Sequence, residues 1–504
     1  MLDDEACYRA CKARDARFDG RFFTGVKTTG IYCRPICPAR TPKRENVVFF
    51  PSAAAAQEAG FRPCLRCRPE TSPELGAWRG TEATVARALG LIEAGALDEG
   101  DVASLAERVG IGERQLRRLF AAHVGASPIA VAQTRRVHLA KQLVHDTSLS
   151  MAEIALAAGF GSVRRFNATF QAMFGRPPSR LRRRVGGGAP LTLRLPYREP
   201  YDWDAMLSFL AQRAIPGVEI VERDRYARTL SIGDVKGTVA VSPIGGGYAR
   251  VDLELSETHV LSDVASRIRR LFDFAADPIA IGKHLSEDPF LARCVATRPG
   301  LRVPGAWDLL ELVVRAILGQ QITVAAATAL AGKLVRTFGT KITTSDERLT
   351  HVFPSARALA RADIAALGMP LARGEAIRGF AATLERKPGL LAARRGLDES
   401  VRALCTLSGI GQWTAQYIAM RELREPDAFP TGDIGLLRAL EDRHGRRPSA
   451  EQLDARAERW RPWRAYAALH LWWRDQGIGC AAKKSTTRVV ASRSVESFPP
   501  VGVA

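Results

Sequence analysis

A multidomain chain, mainly α with α+β parts, is what this sequence predicts, and three observations predict it. Four cysteines fall in two close pairs before residue 68, a helical pattern between residues 102 and 178 repeats with an offset of about 50, and period-two alternation from Leu191 to Ser256 precedes a long helical remainder. The expected parts are a small four-cysteine domain (1–75), a double helix-turn-helix domain (76–185), a linker (186–190), an antiparallel-sheet subdomain (191–280), a helical domain built around a helix-hairpin-helix (281–480) and a disordered tail (481–504). At a rough 150 residues per domain, 504 residues allow three to four such units.

Composition narrows the function. The chain is 46% hydrophobic and 25% charged, and it lacks the run of about 18 apolar residues that a membrane span needs. Its acidic start, Met1-Leu2-Asp3-Asp4-Glu5, is unlike a basic export signal, so a cytoplasmic, nucleoid-associated protein is expected. Lysine and arginine total 73 against 53 acidic residues, a net charge of +20, which attracts polyanions and makes nucleic acid the first partner to consider. A genome that encodes arginine freely would give the same excess. The nine cysteines, odd in number, suit metal ligation in a reducing compartment better than disulfides.

The first domain rests on Cys33-Arg34-Pro35-Ile36-Cys37 and Cys64-Leu65-Arg66-Cys67. Four thiolates in two close pairs suit one tetrahedral Zn²⁺, whose binding can supply about 10–16 kcal/mol of folding free energy. Spacing alone favours an inert structural site, since most four-cysteine sites only hold a fold together. The surrounding runs, Gly25 to Pro35 and Gly60 to Pro69, closely resemble the N-terminal domain of the Ada-type methylation-response regulators over roughly residues 4–70. The resemblance implies that Cys33 accepts a methyl group from a methylated DNA phosphate, irreversibly, and that Cys33, Cys37, Cys64 and Cys67 hold the zinc. Methylating one of four thiolates on Zn²⁺ changes the net charge from about −2 to −1, which lowers repulsion from the DNA backbone. Cys7 and Cys11 stand four apart on an expected helix, and Cys294, Cys405 and Cys480 read as core residues.

The second domain rests on the repeat. Leu105-Ala106-Glu107-Arg108-Val109-Gly110-Ile111 answers Ile154-Ala155-Leu156-Ala157-Ala158-Gly159-Phe160, and Phe120, Gly125 and Pro128 answer Phe170, Gly175 and Pro178. Helix, glycine turn and second helix is the helix-turn-helix pattern. Two copies joined by a helix from about Ala130 to Val144 resemble the AraC-type DNA-binding domain. The second helices carry Arg114, Gln115, Arg117 and Arg118, then Ser162, Arg164, Arg165 and Asn167, as candidate contacts to base edges or phosphates. Arg176, Arg180, Arg182, Arg183 and Arg184 read as a phosphate clamp, and Gly186-Gly187-Gly188-Ala189-Pro190 as a flexible joint between two functional halves.

In the second half, Leu191–Leu195, Val239–Val241 and Val251–Leu255 alternate, predicting an antiparallel sheet with one buried face. Leu407-Ser408-Gly409-Ile410-Gly411 between two helices reads as a helix-hairpin-helix whose glycines and Thr414 bring backbone N–H groups to a DNA phosphate. Phe429-Pro430-Thr431-Gly432-Asp433 then places a carboxylate before an apolar helix start, where Asp433 taken by itself reads first as a helix N-cap.

The hairpin and this aspartate together resemble the helix-hairpin-helix DNA glycosylases of the 3-methyladenine glycosylase II (AlkA-like) type. Arg315 to Ile322, Leu367-Gly368-Met369-Pro370 and Trp460 to Trp472 extend the match to about 191–478. The resemblance implies that Asp433 is the catalytic carboxylate, that Trp413, Tyr417 and Trp472 form an aromatic cleft for a cationic base, and that Gln321 wedges into the DNA gap. Gln321 stands where a leucine is usual, and Ile434 where an aromatic can occur. Trp413 occupies the position at which bifunctional members carry a Schiff-base lysine, so a monofunctional enzyme is expected. No Pro-Cys-His-Arg motif is present, so the second methyl-acceptor domain of some Ada regulators is absent.

The expected protein combines alkylation sensor, transcription activator and repair enzyme. Its expected partners are double-stranded, methylated and promoter DNA and RNA polymerase, with no membrane, and it acts as a monomer. The alternative is a transcription regulator with a structural zinc site and an inactive glycosylase fold.

Overall fold

The computed structural model describes residues 3–72, 83–182 and 191–475, apart from 94, 99, 388, 392–395 and 443. The expected linker, the tail, Cys480, Arg183 and Arg184 lie outside the described residues.

The first domain is a four-stranded sheet in the order Val47–Phe50, Phe23–Val26, Ile31–Cys33, Arg62–Pro63. Its last pair is parallel, with Tyr32 opposite Pro63 and the Cys64 N–H donating to the Tyr32 carbonyl at 3.0 Å. This register carries the two cysteine pairs, 26 residues apart in sequence, to one end of the sheet. Gly25 lies where a Cβ would come 2.7 Å from Phe50 and 2.9 Å from Phe61, so only glycine lets those rings close over the strand.

Both repeat copies form as expected: Val102–Arg108 with Glu113–His123, and Met151–Ala157 with Val163–Phe174, joined by Pro128–Asp146. Each copy opens with a capping box, Asp101 with Ser104 and Ser150 with Glu153. Each turns at a glycine with positive φ, Gly110 at 76° and Gly159 at 81°. The first copy shares its core with Ala54 and Ala55 of the cysteine domain.

The second copy shares a core with the glycosylase-half sheet instead: Phe160, Phe166, Phe170 and Phe174 join Leu193, Leu195, Val239 and Val251 in one cluster. Gln142 donates to the Arg194 carbonyl at 2.6 Å, and Arg135 to Ser262 Oγ at 2.8 Å. The halves flanking the expected joint are therefore packed against each other, because both present apolar faces that bury only together.

The sheet has five antiparallel strands in the order Leu191–Pro196, Tyr248–Leu255, Val235–Pro243, Tyr226–Ile232, Glu219–Val221. One buried face holds for Val235–Pro243, where burial alternates, but Tyr226–Leu230 is buried on both faces. There Arg228 forms a buried ion pair with Glu311 at 2.6 Å, tying the sheet to the helical domain. Within the alternating stretch, Trp203–Ala211 is a helix, capped by Asp202, which period-two alternation does not anticipate. The helical domain packs Leu309–Leu318, Leu371–Arg386, Gln412–Arg421 and Arg464–Asp475 around one large core.

Candidate functional site

At the sheet end, the sulfurs of Cys33, Cys37, Cys64 and Cys67 lie within 4.8 Å of one another. Zinc with tetrahedral Zn–S bonds of about 2.3 Å needs sulfurs ~3.8 Å apart, so the donor set fits that ion. Hydrogen bonding among the sulfurs, from Cys37 first, pushes the Cys33 thiol up, while that from Cys33 pulls the Cys64 thiol down. Four such thiols can ionise together only around a cation. Cys64 and Cys67 are buried, whereas Cys33 and Cys37 are half-buried, so the first pair is the more accessible from solvent.

Arg34, not singled out by spacing, organises this end. Its side chain is 6% exposed and ion-paired with Asp19, and Nη1 donates to the Cys67 carbonyl at 3.2 Å, Thr71 Oγ1 at 2.7 Å and the Tyr248 hydroxyl at 3.3 Å. Its backbone N–H donates to Cys67 Sγ at 3.4 Å. Cys7 and Cys11 stand outside the cluster, buried with Phe22, and burial pushes the Cys7 thiol up to about 11. Cys294 is buried, but Cys405 is exposed, contrary to expectation, because its helix buries Ser400, Val401 and Leu404 on another face.

On the repeat, Arg114, Gln115, Arg117, Arg118, Arg164, Arg165 and Asn167 are all exposed. Arg117 pairs with Glu113 one turn away at 2.6 Å. Ser162 is the N-cap of its helix, its hydroxyl accepting from Arg165 N at 3.1 Å while it remains exposed and keeps its O–H donor. Arg182 turns inward to the Leu149 carbonyl, so it is not a free phosphate contact.

In the helical domain, Asp433 is the N-cap of Ile434–Ala439 and also accepts from two indole N–H groups. Oδ1 accepts from Gly435 N at 2.9 Å, Leu436 N at 3.1 Å and Trp472 Nε1 at 2.8 Å, and Oδ2 accepts from Trp413 Nε1 at 3.0 Å. Trp413 is 37% exposed and stacks on Tyr417, with centroids 5.2 Å apart and planes at 11°. Tyr417 covers one face of the indole, which otherwise stays partly exposed.

Beneath this stack lie residues the sequence did not single out. Arg421 Nη1 donates to the Tyr417 hydroxyl at 2.7 Å, while its Nε and Nη2 donate to the Pro304 and Gly305 carbonyls, both at 2.8 Å. The Arg213 guanidinium adjoins the same hydroxyl and lies 3.9 Å from the Phe209 centroid. Burial raises the Tyr417 phenol, but Arg421 and Arg213 more than offset it, and the net direction is down. Burial first, then the like charges of Arg421 and Arg315, lowers the Arg213 guanidinium.

The hairpin joins Leu397–Cys405 to Gln412–Arg421, the helix that carries Trp413 and Tyr417. Gly409 has φ of 78°, and a Cβ there would come 2.6 Å from the Ala376 Cβ. Gly411 caps Gln412–Arg421 without a side chain, and the first internal bond runs from Ala415 N to the Gly411 carbonyl, which leaves the preceding amides open. The Thr414 side chain is 3% exposed and faces Gln320 Nε2 at 3.4 Å, so only its backbone amide is offered to a phosphate. Gln320 Nε2 also donates to the Gly409 carbonyl at 2.8 Å, and Arg373 Nη2 to the Gln320 carbonyl at 2.7 Å. These bonds anchor Gln321, which is exposed with φ of 60°.

Four families match consecutive parts of the chain: "Metal binding domain of Ada" at 6–70, "Helix-turn-helix domain" at 105–184, "AlkA N-terminal domain" at 192–308, and "HhH-GPD superfamily base excision DNA repair protein" at 314–465. Among relatives, the "Probable bifunctional transcriptional activator/DNA repair enzyme AlkA" of Mycobacterium tuberculosis is 42% identical over 481 residues, spanning 94% of this chain and 97% of that protein. The "DNA-3-methyladenine glycosylase 2" of Escherichia coli K12 is 35% identical over 285 residues, 56% of this chain and 96% of its own. The 3-methyladenine DNA glycosylase structure from Archaeoglobus fulgidus, 22% identical, covers 57% of this chain and 99% of its own with a TM-score of 0.50, a likeness of fold. With a four-cysteine zinc domain, a double helix-turn-helix and a helix-hairpin-helix glycosylase fold in one polypeptide, the chain belongs to the family of bifunctional transcriptional activator/DNA repair enzymes of the AlkA kind.

Proposed function

We propose that this protein senses alkylated DNA through Cys33, activates transcription in response, and excises alkylated purines with a monofunctional glycosylase centred on Asp433. The observation that carries the reading is the hold on Asp433: Oδ1 takes three N–H donors, whereas Oδ2 takes one and keeps a lone pair for the cleft. A carboxylate fixed this way faces positive charge developing at the sugar C1′ without reorganising. The cationic base leaves as a neutral molecule, water adds at C1′, and its proton passes to solvent. Trp413 offers its open face to the flipped base, and with no lysine at that position no Schiff base forms. Gln321 fills the gap, while the amides at Gly411, Gln412, Trp413 and Thr414 hold a phosphate.

In the sensor, the Cys33 sulfur attacks the methyl carbon of a methylphosphotriester, the C–O bond breaks, and the phosphodiester leaves as an anion. The thioether has no route back, so each sensor acts once. Zinc, when bound, keeps the four sulfurs deprotonated and nucleophilic near neutral pH. Arg34 holds the loop within the first ligand pair to Asp19 and the Cys67 carbonyl. The loss of one negative charge then favours promoter DNA, which Arg114, Gln115, Arg117, Arg164 and Arg165 contact. The protein works as a cytoplasmic, nucleoid-associated monomer, since two readers on one chain span successive grooves without a second copy, and activation implies contact with RNA polymerase.

One experiment tests both chemistries: incubation of the full chain with methylated duplex DNA, scoring released methylpurines and mass gain at Cys33. Release and a single methyl addition are expected. Binding without base release would leave a regulator with an inactive glycosylase fold.

A further inference from the structure

Two guanidiniums beneath a cleft meant for cations set an electrostatic problem. Arg421 and Arg213 flank the Tyr417 hydroxyl, and Tyr417 stacks directly under Trp413, whose indole N–H holds Asp433. Among the described residues, Arg421 is held by two carbonyls and the phenol, and Arg213 by the Phe209 carbonyl and ring, instead of by carboxylates. Arg315, one layer further in, is neutralised by Glu219 and Glu311. Among the described residues, Arg213 is thus a charge without a carboxylate partner, set beside the Tyr417 hydroxyl under the Trp413 stack. Phe209 and Arg213 lie one turn apart at the end of Trp203–Ala211 and just beyond it, and both remain partly exposed, unlike the buried Arg421.

Resting on the glycosylase reading above, we propose that Arg213 is a specificity-determining residue, which favours departure of the base as its charge becomes more negative and weakens binding of bases that arrive positive. When the C1′–N bond breaks, its electron pair goes to the base. An alkylpurine cation passes from +1 to 0, whereas a neutral purine passes from 0 to −1 and takes a proton from solvent afterwards; water adds at C1′ in both. A fixed cation near the base assists both departures to a similar degree. It opposes the bound ground state only for the cationic base. Binding and bond breaking therefore cancel for an alkylpurine and do not cancel for a neutral one, so Arg213 raises kcat/KM selectively for neutral purines, including those with a carbonyl oxygen that the guanidinium can donate to.

The test uses the full chain in single-turnover reactions, on one duplex carrying 7-methylguanine and another carrying deoxyinosine, with Arg213→Gln and Arg213→Lys variants. For 7-methylguanine, Arg213→Gln is expected to lower the maximal rate and the half-saturating concentration together. For deoxyinosine it lowers the rate alone, so the ratio of kcat/KM values moves toward the cation by about tenfold, as ~1.4 kcal/mol of lost charge interaction would give. Arg213→Lys, which keeps the charge, recovers most of that ratio. An unchanged ratio, an equal loss of kcat/KM on both duplexes, failure of lysine to recover it, or no hypoxanthine release by the wild type would overturn the proposal. Should the wild type release neither base, the glycosylase reading itself fails, a separate outcome. A melting curve for each variant identifies loss of fold; should Arg213→Gln lose it, Arg213→Met, which also removes the charge but keeps an apolar stem against Phe209, is read in its place by the same outcomes.

Discussion

Replacing Asp433 with asparagine separates charge from capping, and the geometry gives the size of each effect. Asparagine keeps an oxygen to accept from Gly435, Leu436 and Trp472, but its amide nitrogen then faces Trp413 Nε1, a donor against a donor across 3.0 Å. Losing that charge-assisted bond costs about 2 kcal/mol, or roughly 4–8 °C in Tm for a domain of this size. Catalysis loses more. A unit charge ~4 Å from C1′ at an effective dielectric of about 20 contributes about 4 kcal/mol, close to a thousandfold in rate. Single-turnover release of 7-methylguanine, measured beside a thermal melt, reads both. Adding Trp413→Phe removes the opposing donor, so Asp433→Asn with Trp413→Phe is expected to regain melting temperature and not activity. A folded Asp433→Asn protein within tenfold of the wild-type rate would refute the electrostatic role and leave Asp433 a cap.

Three other outcomes follow from the geometry. Cys33→Ala is expected to abolish methyl transfer while keeping the sheet, whereas Cys64→Ala, which removes a buried ligand, loses zinc and unfolds the domain; a methyl mapped by mass spectrometry to Cys37 would reverse the assignment. Gly409→Ala meets both a φ of 78° and the Ala376 side chain, so chemical denaturation should report a loss of about 2 kcal/mol or more and filter binding a weaker hold on undamaged DNA; an unchanged midpoint would contradict it. Burial lowers His138 and His470 from 6.5 to about 4, so the unfolded chain takes up protons that the folded chain refuses. Stability is then full above about pH 6.5 and falls as the pH drops toward 4, by up to ~3 kcal/mol per histidine. His470→Gln should flatten that slope, and a melting temperature constant from pH 7 to 5 would exclude it.

Local pattern made much of this legible. Two cysteine pairs, a repeat with glycines at matching turns, and a hairpin followed by Asp433 each lie within a short stretch, where spacing reflects geometry directly. Thr414 and Cys405 show the limit: helix membership could be read, but which face turned inward depended on neighbours far along the chain. Thr414 meets Gln320, 94 residues away, and Tyr417 meets Arg213, more than 200 away, so no local signal marks either pair. The Trp203–Ala211 helix escaped because alternation was read across a segment whose aspartate cap begins a different period. Arg34 sat inside the cysteine motif, yet its charge gave no hint that it would be buried against Asp19.

The shared core of the second repeat copy and the glycosylase sheet also bears on how such a chain could be taken apart. A cut in the glycine seam would leave two fragments whose facing surfaces had been interior: the apolar side of Pro128–Asp146 on one, that of Leu191–Pro196 on the other. Each fragment would then have to hide an oily surface by aggregating, by dimerising or by finding the other half again. Mixed fragments would therefore be expected to reassemble, and substitutions at that boundary would be tolerated only in matched pairs, so that reader and repair enzyme are inherited as one unit.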